Sequence, residues 1–326
     1  MLTHAFEPIR NDLFRMEEAI ANRSICGVDM ADAIVRHMMK NAGKRIRPAI
    51  FLLAARASQP ATDELDHNII DIAAAVELIH TASLLHDDVV DSSNLRRGAI
   101  TANAKWGDEA CVLAGDFLWC VASEIIVRIK NHKLTSAVIE GVRHMTEGQI
   151  MEVACRNSTC IDENTCLKII EAKTASLFST ASRLGAIVSE KNSSHEQSLS
   201  EYGRCVGIAF QLADDALDYV ASTEALGKKP KSDLITKTPT YPLISALNNA
   251  TAEDAWVIEQ ALKSDSLDEQ TLSDVCNIVK KCSGITLTLT LAKYYSAKAK
   301  EHLCEFEPCA EIDSLKAIAD YASSRN

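Results

Sequence analysis

The chain has 326 residues, 47% of them hydrophobic, with only 12 glycines and 7 prolines. So little turn punctuation argues against a β-sandwich or an α/β fold and predicts helices joined by short loops. A formal net charge of −11 argues against nucleic-acid binding by the chain as a whole.

The opening stretch, "MLTHAFEPIRNDLFRMEEAI", carries acids early and has no continuous apolar segment, unlike a signal or transit peptide. Residues 69–88, "IIDIAAAVELIHTASLLHDD", are apolar on nearly every face, as a fully buried central helix would be. Residues 111–129 and 203–220 share that character. Polar stretches at 92–108, 156–164, 191–198 and 221–241 separate these helices. None is a Gly/Ser linker and composition does not shift across them, so one all-α domain is expected over residues 1–326. Residues 285–291, "ITLTLTL", alternate like a strand, yet a lone strand would lack a partner and the sequence that follows favours helix. The segment is read as helix.

No apolar run reaches the roughly 18–20 uncharged residues of a membrane span. The 11 cysteines form no C-x-x-C pair and read as reduced thiols of a cytoplasmic protein. Cys155, Cys160 and Cys166, with His144 upstream, match no common zinc spacing. Neither a G-x-G-x-x-G nor a G-x-x-x-x-G-K-S/T phosphate loop is present.

Two carboxylate clusters stand out. In "LLHDDVVD", Asp87 and Asp91 are spaced i, i+4 and lie on one helix face, with Asp88 about 100° around. Like charges so placed destabilise a helix unless a cation joins them. In "FQLADDALD", Asp214, Asp215 and Asp218 repeat the spacing, again after an apolar run. Oxygen-rich sites of this kind suit magnesium, which keeps its other positions for water and substrate phosphate. Basic groups accompany them: Lys44, Arg45 and Arg47 in "GKRIRP", Arg96 and Arg97 in "RRG", Lys173 in "EAKTAS", and Lys228, Lys229, Lys231 and Lys237 in "GKKPKSDLITK". Any one cluster would be an ordinary solvated face. Together they describe a pocket for two polyphosphate anions, one held through metal and one directly by arginine and lysine.

In order and approximate spacing, "GKRIRP", "LLHDDVVDSSNLRRG", "AGDFL", "KTASLF", "FQLADDALD" and "GKKPKSDL" resemble the trans-isoprenyl diphosphate synthases over nearly the whole chain. The resemblance implies an all-α single-domain bundle with a central cavity, expected as a homodimer. It also implies a magnesium-dependent prenyltransferase that adds isopentenyl diphosphate to an allylic diphosphate (farnesyl, geranyl or geranylgeranyl). Asp87, Asp88, Asp91, Asp214 and Asp218 would bind magnesium, and Asp215 would act through neighbouring contacts or water. Lys44, Arg47, His80 and Arg97 would hold isopentenyl diphosphate. Arg96, Lys173, Lys228 and Lys237 would hold the allylic diphosphate, with Thr174 and Gln211 at the reacting centre.

In that family the residues four and five before the first aspartate form a floor for the growing chain. Here they are Ser83 and Ala82, both small, with Ile79 deeper on the same helix. Each open turn adds about 5.4 Å, close to one isoprene unit. The expected product is longer than farnesyl, in the range hexaprenyl to decaprenyl. Trp119 on the neighbouring helix is an alternative floor that would give geranylgeranyl diphosphate. The resemblance also leaves open a subunit of a heteromeric synthase, although such subunits usually lose aspartates that this chain keeps. The chain departs from the family pattern after the second cluster: Lys231 and Lys237 stand at glycine positions and Thr238 at a lysine position. A different backbone geometry is expected there.

Overall fold

The computed structural model describes residues 2–41, 43–58, 64–158, 161–189, 193–220, 231–264 and 266–324. Helices α1 (Arg10–Arg23), α2 (Asp29–Lys40) and α3 (Ile46–Ala57) lead into α4 (His67–Val90). A two-stranded hairpin, β1 (Leu95–Arg96) and β2 (Ala99–Ile100), joins α4 to α5 (Asp108–Arg128) and α6 (His132–Cys155). Helix α7 (Glu163–Ile170) passes through a π-helical turn (Glu171–Ala175) into α8 (Ser176–Val188), and α9 (Ser193–Asp218) follows. A short turn of helix (Ser232–Ile235) precedes α10 (Tyr241–Asn249), α11 (Ala252–Lys263), α12 (Glu269–Lys281), α13 (Gly284–Glu301) and α14 (Ala310–Ser323).

Several helix starts are set by capping side chains. Asp66, Asn131, Asp162, Thr251 and Asp268 each accept a hydrogen bond from a backbone N–H of the first turn that follows. Interior packing then does the rest. Helix α4 is buried along most of its length, packed against α1, α3 and α5. Helix α9 packs between α8 and α13. Small residues let these helices approach: Gly203 and Gly207 of α9 face the backbone and side chains of Ala175, Phe178 and Ser179. A smaller core, built around Leu243, Ile258, Leu272 and Val279, joins α10, α11 and α12.

The alternating "ITLTLTL" segment is helical, within α13. Thr288, Ala292, Ser296 and Ala299 are buried at helical spacing, so the face that packs is one of small residues. The Thr288 hydroxyl donates to the Gly284 carbonyl at 2.7 Å, and Ser296 donates to the Ala319 carbonyl of α14 at 2.7 Å. Those bonds satisfy hydroxyls that would otherwise be buried without partners.

Two helices exceed what the sequence reading expected for membrane-length segments. An 18-residue window of α4 has mean hydropathy 1.4 and one of α5 has 1.8. The α4 window is 78% buried within the bundle and that of α5 only 44%. In α4, therefore, the protein's own interior takes up the apolar surface.

Gly185 of α8 sits against α3, where a Cβ would lie 2.8 Å from the Ala55 nitrogen. Gly185→Ala is expected to destabilise the fold by about 1–3 kcal/mol through overpacking, read as a lower urea midpoint at unchanged slope.

Candidate active site

Helix α4 ends at its aspartates. Asp91 is the C-cap, and Asp88 is almost wholly buried. The hairpin that follows turns through Arg97 and Gly98, both with positive φ (52° and 77°), between the pairs Leu95–Ile100 and Arg96–Ala99. Two such residues are what a tight hairpin turn demands. The turn brings Arg96 back so that its Nε donates to Asp88 Oδ1 at 2.8 Å. The other oxygen, Asp88 Oδ2, is buried without a hydrogen-bond partner. Burial raises the Asp88 pKa despite Arg96. Burial likewise pushes Asp87 up to about 6, against the pull of Lys173 and Arg96.

The second cluster closes α9. Asp215 is buried and accepts from Gln211 Nε2 at 2.7 Å, while Thr174 Oγ1 donates to Gln211 Oε1 at 2.8 Å. This chain orients the Gln211 amide. Thr174 and Lys173 lie on the π-helical turn, a distortion common at functional sites. Lys173 Nζ pairs with Glu152 of α6 at 2.5 Å. Burial lowers the Lys173 pKa, but Glu152 and Asp87 more than offset it, so Lys173 stays charged.

Arg47 is within electrostatic reach of both clusters. It is held down to about 10 by burial, and both Asp214 and Asp87 act on it electrostatically. Its Nη1 meets His80 Nε2 at 3.1 Å, and its guanidinium stands 4.3 Å from the Phe178 ring centroid. Burial, then Arg47 and Arg97, keep the His80 pKa well below its ordinary value, so the ring is neutral and Nε2 accepts from Arg47. Arg97 Nη1 donates to the Asn41 carbonyl at 3.0 Å and packs on Gly43, where any Cβ would collide with the guanidinium.

Two cavities flank these groups. One of about 470 Å³ is lined by His80, Leu84, Asp88, Arg96 and Arg97 among others. The second, about 510 Å³, is lined by Lys173, Thr174, Gln211, Asp215 and Tyr241, with Cys155 and Cys166 on its wall. His80 and Arg97 thus line one cavity and Lys173, Thr174 and Gln211 the other. Arg96, expected with Lys173, lines the first cavity, because its bond to Asp88 holds it there.

Three further placements depart from expectation. Lys44 is exposed and turns to α14, donating to the Tyr321 hydroxyl with its ammonium 4.8 Å from that ring centroid. Asp218 is buried with both oxygens engaged, by Ser232 Oγ at 2.9 Å and the Asp233 N–H at 3.0 Å, and so ties down the short helix after α9. Lys231 and Lys237 keep left-handed backbones (φ 64° and 54°) although neither is glycine. The Lys237 carbonyl accepts from the Asn157 N–H at 3.1 Å. Lys228 lies outside the described residues.

Ile79 and Ala82 are buried, and Ser83 is half-buried with its hydroxyl donating to the His80 carbonyl at 2.8 Å. Trp119 is half-buried against the main core. None of these four lines either cavity.

The sequence reading missed Glu152, Arg156 and Gly148. Arg156, at the end of α6, pairs with Asp91. Gly148 lets α6 touch the π-helical turn, where a Cβ would collide with the Lys173 backbone nitrogen. An acid and a base one turn apart near the end of a helix are too common to have marked the first two.

The orphaned Asp88 oxygen and the half-buried Asp87 form a donor set suited to a hard divalent cation. Among the described residues no three potential ligands are already gathered.

The polyprenyl synthetase family model matches residues 28–279. Octaprenyl diphosphate synthase of Escherichia coli is 36% identical over 315 residues, 97% of this chain and 96% of that protein. The Haemophilus influenzae octaprenyl diphosphate synthase is 35% identical over 316 residues, 97% of this chain and 94% of that protein. Among solved structures, a polyprenyl synthase from Caulobacter crescentus, complexed with calcium and isoprenyl diphosphate, superposes with a TM-score of 0.95 at 34% identity, covering 100% of this chain and 98% of its own. A decaprenyl diphosphate synthase from Rhodobacter capsulatus gives 0.92 at 28% identity, covering 100% and 99%. With two aspartate-bearing helix ends, half-buried cations near them and agreement along its full length, the chain is a prenyltransferase of the polyprenyl synthetase family.

Proposed function

We propose that the protein joins isopentenyl diphosphate to an allylic diphosphate in trans, making a polyprenyl diphosphate longer than farnesyl, in the range hexaprenyl to decaprenyl. The observation that carries this reading is Arg47, half-buried with its Nε atom enclosed, and within electrostatic reach of an aspartate from each cluster. Two anion-lined helix ends then share one cationic centre.

Magnesium, held by Asp87, Asp88, Asp91 and Asp214 together with substrate phosphate, would supply positive charge where the leaving diphosphate becomes negative. Lys173 remains charged beside the same oxygens and steadies that build-up. Arg47, His80 and Arg97 bind the diphosphate of the acceptor, His80 as a neutral hydrogen-bonding group. The allylic carbon–oxygen bond breaks and the acceptor's double bond attacks the resulting carbocation. A new carbon–carbon bond forms, and a proton passes to the released diphosphate. Thr174 and Gln211, locked by Asp215, stand at this centre with fixed dipoles. The apolar length of α4 keeps water from the cation.

Ser83 shares a helix face with Asp87, and its small side chain supports a growing product that passes below the first aspartate. The enzyme acts in the cytoplasm and hands its product to a membrane. Extracts from labelled isopentenyl diphosphate, farnesyl diphosphate and magnesium should give a ladder passing geranylgeraniol, abolished by a chelator. Ser83→Phe should shorten that ladder by one or more isoprene units. A stop at geranylgeraniol in the unaltered enzyme would make Trp119 the floor. Absence of incorporation with farnesyl, geranyl and dimethylallyl primers would remove the functional reading.

We further propose that the enzyme works as a homodimer joined through α5. Leu113, Cys120 and Val127 are exposed at intervals of seven residues along that helix, forming one stripe with the exposed Val112 beside it. Such a stripe is suited to a second copy of the same helix. Leu113→Glu should shift the sedimentation coefficient from dimer to monomer; an unchanged value would place the interface elsewhere.

A further inference from the structure

Arg156 leaves the end of α6 and reaches the end of α4. Its Nη2 pairs with Asp91 Oδ1, and its Nη1 donates to the Val90 carbonyl at 3.3 Å. A cation against a helix C-terminus is stabilising, and that alone would explain a clamp. Two further observations go beyond a clamp. The Arg156 Nε is buried and has no hydrogen-bond partner among the described residues. The next residue, Asn157, donates its N–H to the Lys237 carbonyl at 3.1 Å, and the short helix just before Lys237 is tied to Asp218 by Ser232 and Asp233. Arg156 is therefore the link at the first cluster in a hydrogen-bonded strap that runs from Asp91 to the end of α9.

Asp91 cannot serve two cations equally. If a divalent ion takes its carboxylate, the guanidinium is left beside a like charge in a half-buried place and must find another anion. The one brought by the ion is the diphosphate. An arginine fork matches phosphate oxygens with two parallel bonds, and a donor already lacking a partner favours the exchange.

Resting on the functional reading above, we infer that Arg156 is a diphosphate-binding residue, which holds Asp91 in the free enzyme and moves to the allylic diphosphate when the metal ion binds.

The test uses the full-length enzyme and its R156Q and R156K variants. Isothermal titration calorimetry with farnesyl thiodiphosphate and magnesium measures the anion, and a titration with manganese alone measures the metal site. R156Q should weaken the analogue about tenfold or more, the loss expected for a charge-assisted hydrogen bond. R156K, with charge but no fork, should fall between. Manganese alone should bind R156Q as tightly as the unaltered enzyme or more so, since Asp91 is released. Analogue affinity unchanged in R156Q would reduce Arg156 to a helix clamp and overturn the proposal. If R156Q does not fold, R156K decides: weakening by about threefold supports the exchange and unchanged affinity refutes it. Failure of the unaltered enzyme to bind the analogue would instead overturn the functional reading, and this inference with it.

Discussion

A helix buried along most of its length delivers three carboxylates to its own C-terminal end, where the backbone carbonyls are negative as well. Much of the neighbouring structure answers that charge. Arg96 returns through a two-residue turn to Asp88, Arg156 crosses from α6 to Asp91, and Lys173 stands near Asp87 and Asp91. Cations on side chains satisfy the cluster only in part: one oxygen of Asp88 stays buried without a partner, and burial holds Asp87 near 6. Acidic groups left under-neutralised in this way are complementary to a hard cation, which can carry a phosphate anion with it.

The cations are themselves held in place by acids set further back. Glu77 of α4 and Glu17 of α1 pair with Arg45, which has a left-handed backbone just before α3 and so sets the position of Arg47 two residues on. Glu152 holds Lys173. Gly148 matters for the same reason, because only a residue without Cβ lets α6 reach the widened turn that carries Lys173 and Thr174. The geometry of the site thus depends on residues that need not touch a substrate.

The segment after α9 shows how far side chains can stand in for glycine. Left-handed backbone costs a residue with a Cβ about 1–2 kcal/mol. Lys231 and Lys237 both adopt it. Two sets of hydrogen bonds offset the strain: Asp218 receives Ser232 and the Asp233 N–H, and the Lys237 carbonyl receives Asn157. Asp218 is taken up by this task, which explains why the third aspartate of the second cluster does not mirror Asp91.

What the sequence by itself determined was local. The spacing of Asp87, Asp88 and Asp91 and the apolar run before them follow from helix geometry within a few residues, whereas the hairpin turn at "RRG" appeared only in the structure. Even "ITLTLTL" could be read as helix, because no partner strand was available to it. Tertiary structure decided which charges meet. Arg156 and Asp91 are 65 positions apart, as their pairing records, and Lys44 and Tyr321 are 277 apart. Such pairs depend on how helices cross, and crossing is set by where small residues such as Gly148, Gly185 and Gly203 allow backbones to touch. A lysine in a motif therefore marks a charge near the site, while the fold decides whether it faces the cavity, as Lys173 does, or turns to the last helix, as Lys44 does.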